Sequence, residues 1–192
     1  MDSWARLTDQ QLVTRARSGR PDAYGELVRR YQTDVFNVIY RLTGEQQEAL
    51  DLAQETFVRS YHALDTFDIT RPFGPWIKRI ATNLTFNTLQ RRRVTTVTLT
   101  RTSAATDDTT EWELPDRSTE PETIYLTNER DTLVRNAILE LPPHYRAVIE
   151  LRHFQELSYE EIAEALDITL SDVKSHLFRA RRHLRQRLEE RP

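Results

Sequence analysis

Apolar residues return every three to four positions along most of the chain, the spacing that gathers them on one face of an α-helix. Thr8-Asp9-Gln10-Gln11 reads as a capping box, with Leu12, Val13 and Ala16 as the buried stripe behind it and Gly19-Arg20-Pro21 as its end. Asp22 is then expected to cap a longer helix carrying Tyr24, Leu27, Val28, Tyr31, Val35, Val38, Ile39 and Leu42, stopped at Thr43-Gly44. A third helix is expected from Glu45 to Leu64, with Ala49, Leu52, Ala53, Phe57 and Tyr61 on one side. Asp65 to Pro72 reads as a loop from its Asp, Thr and Pro content. A fourth helix starts at Phe73 or Pro75, carries Trp76, Ile77, Ile80, Ala81, Leu84 and Leu89, and runs into Arg91-Arg92-Arg93.

The pattern breaks over residues 94–122, where threonines crowd together, acids accumulate and Pro115 and Pro121 punctuate. Val94 to Thr100 alternates apolar and polar residues, which by itself suggests a strand, yet a lone short strand has nothing to pair with. The segment is read as a linker, extended or disordered, with partial order on a partner as the alternative. Helical spacing resumes at Thr123 with Ile124, Leu126, Leu133, Val134, Ile138 and Leu141. Pro142-Pro143 interrupts it, and Tyr145, Val148, Ile149, Leu151 and Phe154 form the next helix. The expected fold is all-α: two small helical domains, 1–93 and 123–192, joined by a flexible acidic linker, 94–122.

The C-terminal end carries a more specific pattern. Ser158-Tyr159-Glu160-Glu161 is a capping box opening a short helix that buries Ile162, Ala163 and Leu166. Asp167-Ile168 makes a tight turn, and Thr169-Leu170-Ser171-Asp172 opens a helix that buries Val173, Leu177 and Leu184. Two short helices across such a turn make a helix-turn-helix. Many three-helix units share that geometry without touching DNA. The second helix adds Lys174, Ser175, Phe178, Arg179 and Arg182 on its other face, residue types that suit base edges, phosphates and a thymine methyl. For Phe178 the alternative is burial against a neighbouring helix.

Charge changes this picture where composition does not. The 192 residues carry a formal net charge of only −3. Yet the charged residues from Lys78 to Arg93, and again from Lys174 to Arg187, are all positive, while the middle of the chain is acidic. Two basic stretches are thus available to phosphate, although basic residues at helix ends also serve the helix dipole. The absence of cysteine excludes disulfides, thiol redox sensing and cysteine-ligated zinc. No apolar run approaches the ~18 residues of a membrane span, and Met1 to Gln10 lacks a signal-peptide core, so a cytoplasmic protein without direct membrane contact is expected. The five histidines are scattered, with no glycine-rich phosphate loop and no His-Glu-x-x-His. His176 and His183 read as a solvated helix face. No catalytic residues, metal or cofactor are expected, and no enzyme.

Two blocks resemble one family in the same order: the extracytoplasmic-function sigma factors, RNA polymerase subunits with two helical domains. The first comprises Asp51-Leu52-Ala53-Gln54-Glu55-Thr56-Phe57, Ala63-Leu64-Asp65-Thr66-Phe67 and Trp76-Ile77-Lys78-Arg79-Ile80-Ala81-Thr82-Asn83. The second comprises Leu157-Ser158-Tyr159-Glu160-Glu161-Ile162-Ala163 and Val173-Lys174-Ser175-His176-Leu177-Phe178-Arg179-Ala180-Arg181. The resemblance implies that the N-terminal domain binds core RNA polymerase through Asp51, Gln54, Glu55 and Arg59. It implies that Phe67, Trp76, Lys78, Arg79 and Asn83 meet the minus-ten promoter element, with the 65–73 loop capturing a flipped base. The C-terminal domain would read the minus-thirty-five element through Ser171, Lys174, Ser175, Phe178, Arg179 and Arg182. An anti-sigma partner is implied as regulator, and the linker would run through the polymerase channel. Residues alone leave other readings open: a plain solvated face for Gln54, Glu55 and Arg59, core packing for Trp76, and a surface amide for Asn83. At the recognition turn Asp167, Thr169 and Ser171 replace the family's common glycine or proline, and His176 stands where arginine is common. A dimeric helix-turn-helix regulator acting without polymerase is the competing function. It accounts for residues 157–188 and leaves the first block unexplained.

Overall fold

The computed structural model describes residues 4–98 and 124–189. Helices α1 (Asp9–Arg17), α2 (Pro21–Thr43), α3 (Gln46–His62) and α4 (Phe73–Thr98) form the first domain. Helices α5 (Ile124–Leu139), α6 (Pro143–Ile149), α7 (Tyr159–Leu166) and α8 (Leu170–Glu189) form the second. No strand occurs among the described residues.

Local chemistry sets most helix ends. Both hydrogen bonds of the Thr8–Gln11 capping box are made, so α1 begins where its sequence indicates. Asp22 does not cap α2. Pro21 takes the first helical position, where its missing N–H costs nothing, and Arg20 precedes it as the end residue. Gly44 closes α2 in the left-handed region at φ 78°. The third helix stops at His62, and Leu64–Thr66 tightens into a 3-10 turn. The fourth runs through Thr98, so the expected linker begins as helix rather than as extended chain. Residues 99–122 of that linker lie outside the described residues.

The first core joins all four helices through Leu12, Val13, Leu27, Val35, Ile39, Leu42, Ala49, Phe57, Phe73 and Ile77. Tyr24 crosses it with its hydroxyl shared between the Phe57 carbonyl and Ser60 Oγ, both at 2.6 Å. Burial pushes that phenol up to about 12. Tyr61, expected inside, is 42% exposed, although its ring packs edge-on against Tyr24 at 4.9 Å.

The second core collects Ile138, Leu141, Tyr145, Val148, Leu151, Ile162, Leu166, Val173 and Leu177. Leu133 and Val134 were expected on the buried stripe of α5 and are exposed; Ala137 and Ile138 fill the covered side instead. The helix expected to run to Phe154 leaves α-geometry at Ile149 and continues as one π-helical turn, Glu150–Phe154. Phe154 is consequently exposed, and Glu150, inside an apolar run, is buried. The Ser158 capping box is fully formed, and Asp167 turns the chain at φ 52°, a conformation Asp adopts at lower cost than most residues.

Candidate nucleic-acid interface

Helix α8 is the second helix of the helix-turn-helix, and its start is fixed by side chains. Thr169 Oγ1 accepts the Asp172 amide at 3.1 Å and donates to Asp172 Oδ2 at 2.7 Å. The Thr169 hydroxyl first, then its amide, keep the Asp172 carboxyl below the usual carboxylate range. Val173, Leu177 and Ala180 face the core with essentially no exposure. Ser171, Lys174, Ser175, Phe178, Arg179 and Arg182 all stand exposed on the remaining surface. Phe178 is 68% exposed, so it does not pack on a neighbouring helix. Among the described residues no ion pair neutralises Lys174, Arg179 or Arg182.

His176 is not on a solvated face. Its ring lies 4.8 Å from His144 and 5.5 Å from Tyr145, and Tyr145 also neighbours His183 at 6.0 Å. Its Nδ1 is buried without a hydrogen bond among the described residues. Burial pulls the His176 imidazole below its ordinary value; Asp172 opposes this and Arg179 adds to it. A neutral His176 supports the helix from beneath.

In the first domain, Asp51 and Arg59 are exposed on α3, and Gln54 and Glu55 half-buried. Arg59 pairs with Glu55 at 2.6 Å one turn away. Val58, which the sequence reading passed over, is 52% exposed on the same helix; its place between Phe57 and Arg59, off the apolar stripe, was the available signal.

The 65–72 loop is tied to the body of the domain. Arg17 donates to the Leu64 carbonyl at 2.6 Å and also to the Phe67 carbonyl. Asp68 Oδ1 accepts the Thr70 amide at 3.0 Å and the Thr70 hydroxyl at 2.7 Å. Phe67 is only 4% exposed. Its ring packs tilted 4.8 Å from Trp76 and edge-on 5.6 Å from Phe73, so it acts as a floor for the loop. Trp76 is half-buried, packed on the core with one side facing a cleft. That cleft, about 530 Å³, lies between the domains and is bounded by Phe67, Asp68, Trp76 and Arg79 on one side and Gln155, Leu157 and Glu161 on the other. A smaller cavity of about 190 Å³ sits on the opposite side of the loop, between Asp9, Gln10, Phe67, Arg71 and Phe73.

Three basic residues of α4 are engaged. Lys78 Nζ is 3.5 Å from Asp34, Arg79 is 3.9 Å from Glu161, and Arg92 is 2.7 Å from Glu48. Asn83 lies about two turns beyond Trp76 and bounds neither cavity. Its Oδ1 is buried and accepts no hydrogen bond among the described residues, so it is not a surface amide.

Two segments match family models: residues 27–95 match Sigma-70 region 2 and residues 131–184 match Sigma-70, region 4. SigW of Bacillus subtilis, an ECF RNA polymerase sigma factor, is 35% identical over 93% of this chain and 95% of its own length. The RNA polymerase sigma-H factor of Pseudomonas aeruginosa is 35% identical, covering 94% of each chain. The chain belongs to the ECF RNA polymerase sigma factors. In solved structures the fold is similar to that of CnrH in complex with the cytosolic domain of CnrY, at TM-score 0.61 and 27% identity over 96% of this chain and 99% of that one. The RpoE–NepR complex of Bartonella quintana shares the fold at TM-score 0.59 and 19% identity, over 88% of this chain and 98% of that one. A sigma factor is a transcription initiation factor, and the shared length spans both domains of this one. A dimeric repressor would account for the second domain alone and is not favoured.

Proposed function

We propose that this sigma factor binds core RNA polymerase and carries it to promoters, with domain 1–93 gripping the enzyme and melting DNA, and domain 123–192 reading the upstream element. Asp51, Gln54, Glu55 and Arg59 form the polymerase-facing surface, joined by exposed Val58 and Tyr61. Ser171, Lys174, Ser175, Phe178, Arg179 and Arg182 form the minus-thirty-five reading face. The observation that carries this reading is the exposed cationic face of α8, not neutralised by any ion pair among the described residues, with Phe178 in its middle. Positive side chains around one aromatic group fit a phosphate-lined groove and a thymine methyl together.

At the minus-ten element, Phe67 supports the loop while Trp76 stacks on the separated strand and Lys78 and Arg79 meet its phosphates once released from Asp34 and Glu161. Asn83 offers an acceptor, its buried Oδ1, that has no hydrogen-bond partner among the described residues. The chain works as a cytoplasmic binding subunit with no chemistry of its own. Its 530 Å³ interdomain cleft suits a regulatory segment from an anti-sigma partner, and the bound state of CnrH and RpoE supports that reading.

The test is capture of core polymerase by the purified chain, followed by transcription from a promoter library. The expected result is stable co-elution and a distinct start-site motif. A chain that neither co-elutes nor directs RNA synthesis, yet binds a duplex operator tightly alone, overturns the reading.

A further inference from the structure

The two domains meet through contacts that no helix-turn-helix requires. Arg41, on α2, forms two parallel hydrogen bonds with Glu150, Nε to Oε2 and Nη2 to Oε1, both at 2.8 Å. The same guanidinium lies over the Phe154 ring at 4.5 Å. Gln155 Nε2 donates to Thr82 Oγ1 on α4 at 2.9 Å. Arg146 donates to the Leu42 carbonyl at the end of α2. Glu150, Phe154 and Gln155 all belong to the π-turn or its end residue. The wider turn is what lets residues four and five apart reach the same neighbouring domain, and such turns recur at functional positions.

We propose that this π-turn is a clasp: by gripping Arg41 it holds the free chain closed, with the second domain laid over the Trp76–Thr82 face of α4, so that the chain shields its own DNA-melting surface without a second protein. The shielding half rests on the proposed DNA role of that face; the clasp does not. In the closed form Glu161 stands 3.9 Å from Arg79, where a phosphate would go, and Gln155 occupies Thr82. Leu157 and Glu161 wall the cleft opposite Trp76.

The closed form is built to be reversible. Glu150 is 2% exposed, and a buried carboxylate is stable only while its partner is present. Asn83 Oδ1 and Gln155 Oε1 are buried without a hydrogen bond among the described residues. Opening hydrates Glu150 and Gln155, which offsets the loss of the pair. A closed population also lowers apparent affinity for any ligand of the open form by the fraction that is open.

The chain has no native cysteine, so Ser18→Cys and Gln186→Cys, both exposed and in different domains, take spin labels uniquely. In the full chain the labelled background should give one narrow distance distribution. Arg41→Glu, which sets two carboxylates together, should broaden and lengthen it, and adding Glu150→Arg should restore it. Phe154→Ala removes an exposed ring and should shift the distribution in the same direction with folding intact. A fluorescent single-stranded minus-ten oligonucleotide should bind the opened variant about tenfold more tightly if a tenth of the wild type is open. A broad distribution in the parent chain, or no change on Arg41→Glu and Phe154→Ala, overturns the clasp. An opened chain with no gain in oligonucleotide binding overturns the shielding and points to the DNA assignment of α4, since the distances report the clasp alone.

Discussion

At the scale of single residues, the proposed recognition face divides into exposed side chains placed to read and covered side chains that support them. Arg179 is exposed and unpaired among the described residues, so Arg179→Ala should weaken upstream-element binding by about 1–3 kcal/mol and relax base preference at one position if it meets a base. Binding titrations on a substituted promoter panel measure both, and a uniform loss across sequences would assign Arg179 to phosphate. His176 supports from below, and its sign with pH follows from burial. Its folded value is depressed, so folding favours the neutral ring. The second domain should be fully stable above the ordinary imidazole value of 6.5 and lose stability as pH falls through it toward the folded value. His153, depressed by burial and by Arg181 and Arg152, acts in the same direction. Thermal unfolding at pH 7.5 and 5.5 measures the loss, and His176→Gln should reduce it. This support was hidden in the sequence because His176 sits beside exposed Lys174 and Ser175, and only the return of His144 and Tyr145 from α6 covers it.

At the scale of elements, start and stop signals act through the backbone and can be tested there. Ser158→Ala removes the hydroxyl half of a complete capping box and should cost ~1 kcal/mol in urea unfolding, within about 0.5–2 kcal/mol. Asp167 holds a left-handed conformation at φ 52°. Asp167→Gly should leave stability unchanged or raise it, while Asp167→Val should lower it by about 1–2 kcal/mol. Gly44 combines φ 78° with a neighbour from the other domain, since a Cβ there would lie 2.9 Å from Leu139 Cδ1. Gly44→Ala should therefore strain the end of α2 and push on α5 together. Such ends were legible in the sequence because a cap needs only residues three or four apart. Two elements were not. The helix through Thr98 overrides an alternating pattern by continuing a hydrogen-bonded ladder already begun. The π-turn at Glu150 comes with pairing to a residue 109 positions away, which no local spacing encodes.

At the scale of the whole molecule, the two proposed DNA surfaces sit on separate cores. Linking two such modules multiplies their affinity only when both engage at once. The free chain, with one of those surfaces facing the cleft, should bind promoter duplex roughly 100-fold or more weakly than the polymerase complex does. Fluorescence anisotropy with and without core polymerase checks this, and equal affinities would return the protein to the class of ordinary repressors. The amino-acid sequence by itself determined the all-helical architecture, the two cores, the capped helix-turn-helix and its basic outer face, because periodicity, caps and charge runs are set by neighbours within a turn or two. Only the tertiary structure decided that Phe67 is a floor, that Asn83 is enclosed, that Tyr61 is exposed, and that Arg41 and Glu150 join the domains. Those facts depend on which distant surface arrives to exclude water, and local spacing carries no record of it.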